Sequence, residues 1–125
     1  MKEWRPSASL DALAARADLF SEIREFFEQR GLLEVETPLL CQSTVTDPDI
    51  ASFDFEVSDG EGVKRFLQTS PEFAMKRLLA AGFGDIFQIS KAFRFGEEGP
   101  FHNPEFTLLE WYRVNMDHRA LIREV

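Results

Sequence analysis

Residues 93–113 read FRFGEEGPFHNPEFTLLEWYR and carry the strongest structural signal in the chain. The apolar run that leads into them, with Ile86, Phe87 and Ile89, predicts one strand, and residues 105–112 predict a second. The loop between these runs is longer than a bare hairpin turn of about two to five residues. It holds an arginine, a histidine, an asparagine and two acids, which suit a nucleotide pocket because guanidinium groups bind phosphate. The stretch therefore predicts a hairpin with a functional tip.

Three segments resemble the class II aminoacyl-tRNA synthetases, in the form found in the lysyl-tRNA synthetase branch. Residues 102–112 (HNPEFTLLEWY) resemble motif 2, residues 26–38 (FFEQRGLLEVETP) resemble motif 1, and residues 69–79 (TSPEFAMKRLL) resemble the amino-acid-binding segment. Within that branch the chain is most similar to the shortened paralogues that attach β-lysine to elongation factor P. The resemblance implies an α+β fold, a class II catalytic domain with an antiparallel β-sheet flanked by helices.

Composition sets limits on the protein class. The chain has 125 residues, and its 44% hydrophobic content with 13 Phe is enough for the core of one domain. No apolar run reaches the roughly 18 residues of a membrane span, and the N-terminus does not read as a signal peptide. A single cysteine, Cys41, excludes an internal disulfide, so a cytoplasmic protein is expected. The net charge of −8 makes nucleic-acid binding by this chain alone unfavourable.

The pattern divides the chain into a lead-in, residues 1–8, and residues 9–125, which read as the N-terminal part of a catalytic domain with motifs 1 and 2. Ser9 is a good N-cap, and Gly31 is a good C-terminal stop for a helix between them. The apolar stripe of this helix is typical of an amphipathic core helix. The resemblance implies instead that it lies at a homodimer interface, with Phe27 and Pro38 as interface residues; Pro38 could equally just end a strand.

The middle of the chain predicts smaller elements. Residues 32–36 predict a strand, with Leu33 and Val35 on one face, and residues 39–50 predict a loop of turn-forming residues. Residues 53–57 and 63–68 alternate as strands around a turn at 59–62, which predicts an antiparallel hairpin. A helix follows to about Ala81, with Ser70 as its cap and Pro71 at its first position.

Several residues are assigned to the amino-acid pocket by the resemblance alone. It implies that Glu72 receives the substrate's amino group, that Ser70 and Pro71 bind the substrate in the same pocket, and that Glu110 and Tyr112 line it. The spacing of Glu110 and Tyr112 places them on one face of a strand. Simpler roles stay open for two of them: Glu72 has capping-box spacing from Thr69, and Glu110 could be the solvent side of a strand.

The resemblance also implies an ATP site. Arg94 matches the motif 2 arginine that holds the α-phosphate, which makes it the candidate catalytic residue. His102, Asn103 and Phe106 match residues around the nucleotide, with Phe106 stacking on adenine. As simpler alternatives, Phe106 could belong to the core and His102 to the surface.

One departure from the motif concerns the two residues after the arginine. The family usually has Asn-Glu there, whereas this chain has Phe95 and Gly96. The usual glutamate contact to ATP is then missing, and we expect Glu97 to replace it through a shifted loop, or nucleotide binding to be weaker.

The resemblance implies a reaction in which ATP and lysine or (R)-β-lysine form an aminoacyl-adenylate, followed by transfer to a lysine of elongation factor P. Motif 3, with a second arginine, and the carboxylates that bind Mg²⁺ and the lysine ε-ammonium are expected downstream of residue 125. We therefore expect the 125-residue chain alone to be an inactive fragment with no metal ligands of its own.

Three alternatives stay open. A lysyl-tRNA synthetase is one, although the motif 1 helix begins so near Met1 that no anticodon-binding barrel fits before it. A catalytically inactive, dimeric synthetase-like scaffold is the second, and the Phe95-Gly96 departure supports it. An asparagine-synthetase-type ligase is the weakest, because TSPE and LEWY fit the lysyl branch better.

Overall fold

The computed structural model of the chain describes residues 4–57 and 62–124. These contain helices, one mixed three-stranded sheet and a second, antiparallel three-stranded sheet. No helix in these two ranges is both long and apolar enough to cross a bilayer. In chain order the elements are α1 (Leu10–Glu28), β1 (Leu33–Glu34), β2 (Leu40–Cys41), β3 (Asp54–Val57), β4 (Val63–Leu67), α2 (Glu72–Ala80), β5 (Ile86–Phe93), β6 (Glu105–Tyr112) and α3 (His118–Glu124).

Both predicted ends of α1 are confirmed. The Ser9 hydroxyl accepts a hydrogen bond from the Ala12 backbone N–H at 3.1 Å. At the other end, Gly31 has a φ of +76°, and the Leu32 N–H donates to the Phe27 carbonyl at 3.0 Å. This is the Schellman closure, and it places Leu32 beside Phe27 in the core. The closure turns the chain back from the helix into β1.

The first sheet has the order β1-β5-β6 and contains the predicted hairpin. β5 and β6 pair antiparallel along their full length, from Ile86 opposite Tyr112 to Phe93 opposite Glu105. The α+β class is confirmed, and beside the antiparallel β5–β6 pair the short strand β1 pairs with β5 in parallel. The chain between β1 and β5 crosses through the second sheet and α2, so β5 re-enters in the direction of β1.

The second sheet has the order β2-β4-β3. The predicted hairpin is present as β3 and β4, with Val57 opposite Val63, while most of its turn lies outside the described residues. Strand β2 is a short element in a segment predicted to be a loop, and it pairs Leu40 with Leu67. A two-residue strand made by pairing with a distant partner leaves no periodic pattern in the sequence.

Aromatic stacking forms the core. Phe27 stacks on Phe87 with ring centroids 4.8 Å apart and approaches Trp111 at 5.5 Å. Phe27 is 4% exposed and Phe87 is fully buried. The Phe27 side chain is thus part of the core of its own chain, and its place at a homodimer interface stays a prediction.

The N-terminal part of α1 behaves differently from its C-terminal end. Leu10 is 83% exposed, Leu13 is 44% exposed and Leu19 is 51% exposed. The interpretation of the whole stripe as core is wrong, since Phe27 is the one residue of this helix that is buried. Leu33 is also exposed, contrary to the predicted alternation of the following strand. Pairing with β5 over two residues, rather than burial of its side chains, holds that strand in position.

The end of β6 is fixed by one arginine. The side chain of Arg113 is 11% exposed, and its Nη1 donates to Asp85 at 2.8 Å. The same guanidinium binds Glu124 in α3 and the backbone carbonyl of Arg30. The Asp117 carboxylate caps α3 by accepting from the Ala120 N–H at 2.8 Å, as its position in the sequence predicts. The network ties the end of α1, the start of β5 and the end of β6 together.

Candidate active site

The site lies where the end of β5 meets the segment that precedes α2. The Phe93 N–H donates to the Gln68 carbonyl at 2.9 Å, and Gln68 Nε2 donates to the Lys91 carbonyl at 2.7 Å. Gln68 and Thr69 are buried, so these bonds lie in a region with little access to water. They hold the first turn of α2 beside the loop between β5 and β6, and the two predicted subsites are thereby brought together.

Arg94 stands at the start of that loop. Its Nε donates to the Thr69 carbonyl at 3.3 Å, and its guanidinium carbon lies 5.2 Å from the centre of the Phe106 ring. Nη1 is 3.7 Å from the Glu97 carboxylate. The side chain is 27% exposed, so the group is oriented by three neighbours and still faces solvent. The structure therefore brings together three of the predicted ATP-site residues: Arg94, Glu97 and Phe106.

The other two predicted ATP-site residues are not part of this cluster. His102 and Asn103 are exposed, and within the described ranges neither side chain makes a hydrogen bond or an ion pair. The backbone of His102 forms a bridge with Gly99, with N–H to carbonyl distances of 3.1 and 3.2 Å. This bridge makes a tight turn at the tip of the loop, which leaves both side chains free to meet a ligand from outside.

The two residues that depart from the family motif have structural roles. The Phe95 N–H donates to the Ala51 carbonyl at 2.8 Å, and its ring meets Phe53 edge-on at 5.3 Å. Gly96 has a φ of +80°, which favours glycine at this position. The loop is thus attached to the second sheet at Phe95, and the turn at Gly96 is followed by Glu97, which lies against Arg94.

The amino-acid side of the site contains two carboxylates and a phenol. Tyr112 donates from its hydroxyl to Glu110 Oε1 at 2.6 Å, which confirms that the two side chains share a face of β6. Burial raises the pKa of the Glu110 carboxyl, and the neighbouring charge of Glu72 adds to this, while the Tyr112 hydrogen bond and Lys76 oppose it. The pKa of Tyr112 is raised by burial and by Glu110 and Glu72, so the phenol stays protonated and acts as a donor.

The first turn of α2 differs in detail from its prediction. Pro71 is the N-cap rather than the first helical residue, and its own side chain makes no capping hydrogen bond. The Ser70 hydroxyl accepts from the Glu72 N–H at 3.3 Å. Pro71 is less than 2% exposed, so its ring packs inside the chain, and its contact with substrate stays a prediction.

A cleft of about 620 Å³ opens beside this turn. Ser70 and Glu72 line it on one side, together with Lys76 and Arg77 from the same helix. Its opposite side includes the predicted interface residue Pro38 and a stretch that sequence reasoning did not assign to any site: Cys41, Gln42, Ser43, Thr44 and Val45. Glu110 and Tyr112 do not line the cleft, but Glu72 acts electrostatically on both of them. Glu72 therefore lies between the cleft and the β6 pair.

Residues 41–45 carry no sequence pattern other than turn-forming residues, so the sequence predicts a plain loop there. Burial raises the pKa of the Cys41 thiol, so the group stays protonated. In the described ranges no three His, Cys, Asp or Glu side chains come together as metal ligands.

Comparison with known proteins identifies the family of the chain. A family model described as "tRNA synthetases class II (D, K and N)" matches residues 2–125. Proteins named elongation factor P–(R)-β-lysine ligase are similar throughout: those of Vibrio parahaemolyticus and Vibrio cholerae are each 54% identical over 98% of this chain. That of Haemophilus influenzae is 54% identical over 100% of it.

The chain spans about 39% of the length of these Vibrio relatives and 40% of the Haemophilus one. The matched part contains both segments that form the site, Ser70 to Glu72 and the β5–β6 hairpin. The chain belongs to the family of class II tRNA synthetases of the D, K and N type.

Proposed function

We propose that the full-length protein is an ATP-dependent ligase that activates (R)-β-lysine or lysine as an aminoacyl-adenylate and transfers it to a lysine of elongation factor P. The similar proteins from Vibrio and Haemophilus carry the name of such a ligase. Identity of 54% extends over the segments that hold Arg94, Glu72, Glu110 and Tyr112. The proposal gives each of these side chains a chemical task.

The observation that carries the proposal is the position of Arg94. Its Nε is occupied by the Thr69 carbonyl, and the Phe106 ring lies against the guanidinium. The planar group is thus held by two neighbours, and the side chain is 27% exposed, which leaves part of it open to a ligand. A guanidinium of this kind binds phosphate oxygens in a bidentate manner and stabilises negative charge that develops during attack on the α-phosphate.

The charge of the amino-acid side also fits a lysine-type substrate. The amino group of such a substrate is positively charged, and the described part of the site presents two carboxylates, Glu72 and Glu110; the carboxylates for the ε-ammonium are proposed to lie in other parts of the full-length protein. The Tyr112 hydroxyl binds Glu110 at 2.6 Å and fixes the direction of that carboxylate. Charge-assisted hydrogen bonds of this type are about twice as strong as neutral ones. Mg²⁺ is proposed as a companion of ATP, with ligands other than the described residues.

Amino-acid-dependent exchange between ATP and pyrophosphate tests the proposal on the full-length protein. We expect exchange with (R)-β-lysine to be faster than with lysine. The variant Arg94→Met should lose exchange, whereas Lys64→Met should not, because Lys64 pairs with Asp54 on the second sheet, outside the site. Exchange that survives in Arg94→Met would contradict the assignment of that residue.

The acceptor needs its own assay. We expect the activated amino acid to appear on elongation factor P, detected as a mass increase of the factor. A lysyl-tRNA synthetase is the alternative, and charging of tRNA by the full-length protein would favour it. The net charge of −8 on this chain favours a protein acceptor over the phosphate backbone of tRNA.

A scaffold without catalytic activity is the second candidate, and Phe95 with Gly96 is the observation that favours it. Phe95 directs an apolar ring to Phe53 where the family has a polar residue. Absence of ATP binding by the full-length protein in calorimetry would support this reading. Binding of ATP would refute it, and would be consistent with Glu97, 3.7 Å from Arg94, as the replacement acid.

We further propose that the protein is a cytoplasmic homodimer. The exposed apolar side chains of α1, Leu10, Leu13 and Leu19, support a partner surface on that helix. Sedimentation of the full-length protein tests this. We expect a dimer in the native protein and a shift toward monomer in a Leu13→Glu variant.

A further inference from the structure

Lys76 is the residue of the site that no motif assigns. It lies one helical turn after Glu72 in α2, so the two side chains share a face of the helix. The Lys76 ammonium forms an ion pair with the Glu72 carboxylate. Both side chains are about half exposed, and both line the cleft. An ammonium of the protein itself therefore contacts the carboxylate that is proposed to bind the ammonium of the substrate.

The charge of Lys76 acts beyond its own helix. Four influences act on the Glu110 carboxyl from the described residues: its burial, the Tyr112 hydroxyl on the same strand, the Glu72 carboxylate and the Lys76 ammonium on α2. Of these side chains Lys76 is the cation. Its effect on Glu110 is opposite to that of Glu72, because a positive charge favours the ionised form of a carboxyl. Lys76 thus supplies the counter-charge for two carboxylates on two different elements.

We propose that Lys76 is a positioning residue of the amino-acid site, which holds the Glu72 carboxylate in the absence of substrate and is displaced from it when the substrate ammonium binds. The inference rests on the proposed function, because it assigns Glu72 to an amino group. Lys76 offsets part of the negative charge of Glu72 and Glu110, and in doing so it weakens substrate binding by competition.

A purely structural role makes different predictions. A Glu and a Lys four residues apart on an exposed helical face also stabilise the helix slightly. If that were the whole role of Lys76, its removal would lower thermal stability and leave both substrate affinity and the titration of Glu110 unchanged. The effect on Glu110, which lies in a strand rather than in α2, is therefore the readout that separates the two roles.

The experiment compares Lys76→Met, Lys76→Arg and the control Lys64→Met in the full-length protein. Exchange assays give KM for (R)-β-lysine and for lysine. We expect KM to fall about two- to five-fold in Lys76→Met with little change in kcat, the size expected when one exposed ion pair no longer competes. Lys76→Arg keeps the charge and should resemble the native protein. Lys64 also pairs with an acid, but on the second sheet, so its replacement should leave KM unchanged.

The second readout needs no activity. Carbon NMR of labelled glutamate side chains follows the titration of Glu110 in the protein without substrate, assigned through a Glu110→Gln variant. We expect Glu110 to titrate at higher pH in Lys76→Met than in the native protein, because the favourable positive charge is gone. Lys76→Arg and Lys64→Met should titrate at the native position.

The outcomes distinguish failure of the proposed function from failure of the proposed role of Lys76. Native protein that shows no exchange with either isomer refutes the proposed function, and the Glu110 titration then still decides whether Lys76 balances the carboxylates. Active native protein with an unchanged KM and an unchanged Glu110 titration in Lys76→Met overturns the inference. A KM that rises in this variant overturns it as well, because Lys76 would then bind substrate rather than compete with it.

Discussion

Replacement of Phe27 by alanine tests the packing of α1 most directly. The side chain is 4% exposed and stacks on Phe87 at 4.8 Å. A phenylalanine of about 200 Å², nearly all buried, is worth about 5 kcal/mol at 25 cal/mol per Å², which is an upper value because unfolded chains already bury some surface. Phenylalanine-to-alanine changes in cores cost about 3–5 kcal/mol. We expect a loss of about 4 kcal/mol in the free energy of unfolding.

The assay is urea denaturation of the full-length protein, followed by circular dichroism at several protein concentrations. The control is Leu13→Ala in the same helix, where the native side chain is 44% exposed. A core residue loses the same free energy at every concentration, whereas an interface residue loses more as the protein is diluted. A loss in Phe27→Ala of less than about 1 kcal/mol, which is typical of surface changes, would refute the packing argument. So would a loss that grows on dilution.

Three further predictions concern the site and its support. Arg94→Met should lower kcat/KM for ATP by about 10²–10³-fold in exchange assays, the usual effect of losing one donor to a developing charge, and a smaller loss would mean that the arginine does not touch the reacting phosphate. Tyr112→Phe removes a hydrogen bond that lowers the pKa of Glu110, so the pKa of Glu110 should rise further. Because the substrate ammonium needs the ionised carboxylate, the acidic limb of the pH profile of kcat/KM should move to higher pH. An unmoved limb would exclude Glu110 as the titrating group. Arg113→Met leaves the Asp85 and Glu124 carboxylates without their guanidinium partner. It should lower the free energy of unfolding in urea by about 2–4 kcal/mol, less than the loss of a fully buried pair because Asp85 is 28% exposed. Native stability of this variant would contradict the role of Arg113 in fixing the end of β6.

Local patterns in the sequence predicted the elements that depend on neighbours in the chain. Ser9, Gly31 and Asp117 mark helix ends through their own hydrogen bonds or backbone angles, and the structure has each of them at a helix end. The β5–β6 hairpin was also predictable, because two strongly apolar runs flank one polar loop. Features that depend on distant pairing were not: the parallel β1–β5 pair and the short strand β2 have no periodic signal.

The site shows the same division. The sequence, with its resemblance, predicted Arg94, Glu97 and Phe106, and the structure brings these three together. Sequence patterns do not distinguish a residue that lines a cavity from one buried beside it. Pro71 is for this reason predicted to contact substrate, although its ring is fully buried. Sequence patterns also missed Lys76, since a lysine on a helix has the same pattern whether it faces water alone or a carboxylate that a ligand will use.

The stacking of Phe27 on Phe87 has a consequence for the time course of synthesis. The two rings are 60 positions apart in the chain, counted as 87 minus 27. A ribosome adds about 5–20 residues per second, so Phe87 is added about 3–12 seconds after Phe27. Helix formation takes microseconds, which is much shorter than this interval. The core side of the helix at Phe27 therefore has no β5 partner until β5 has been translated.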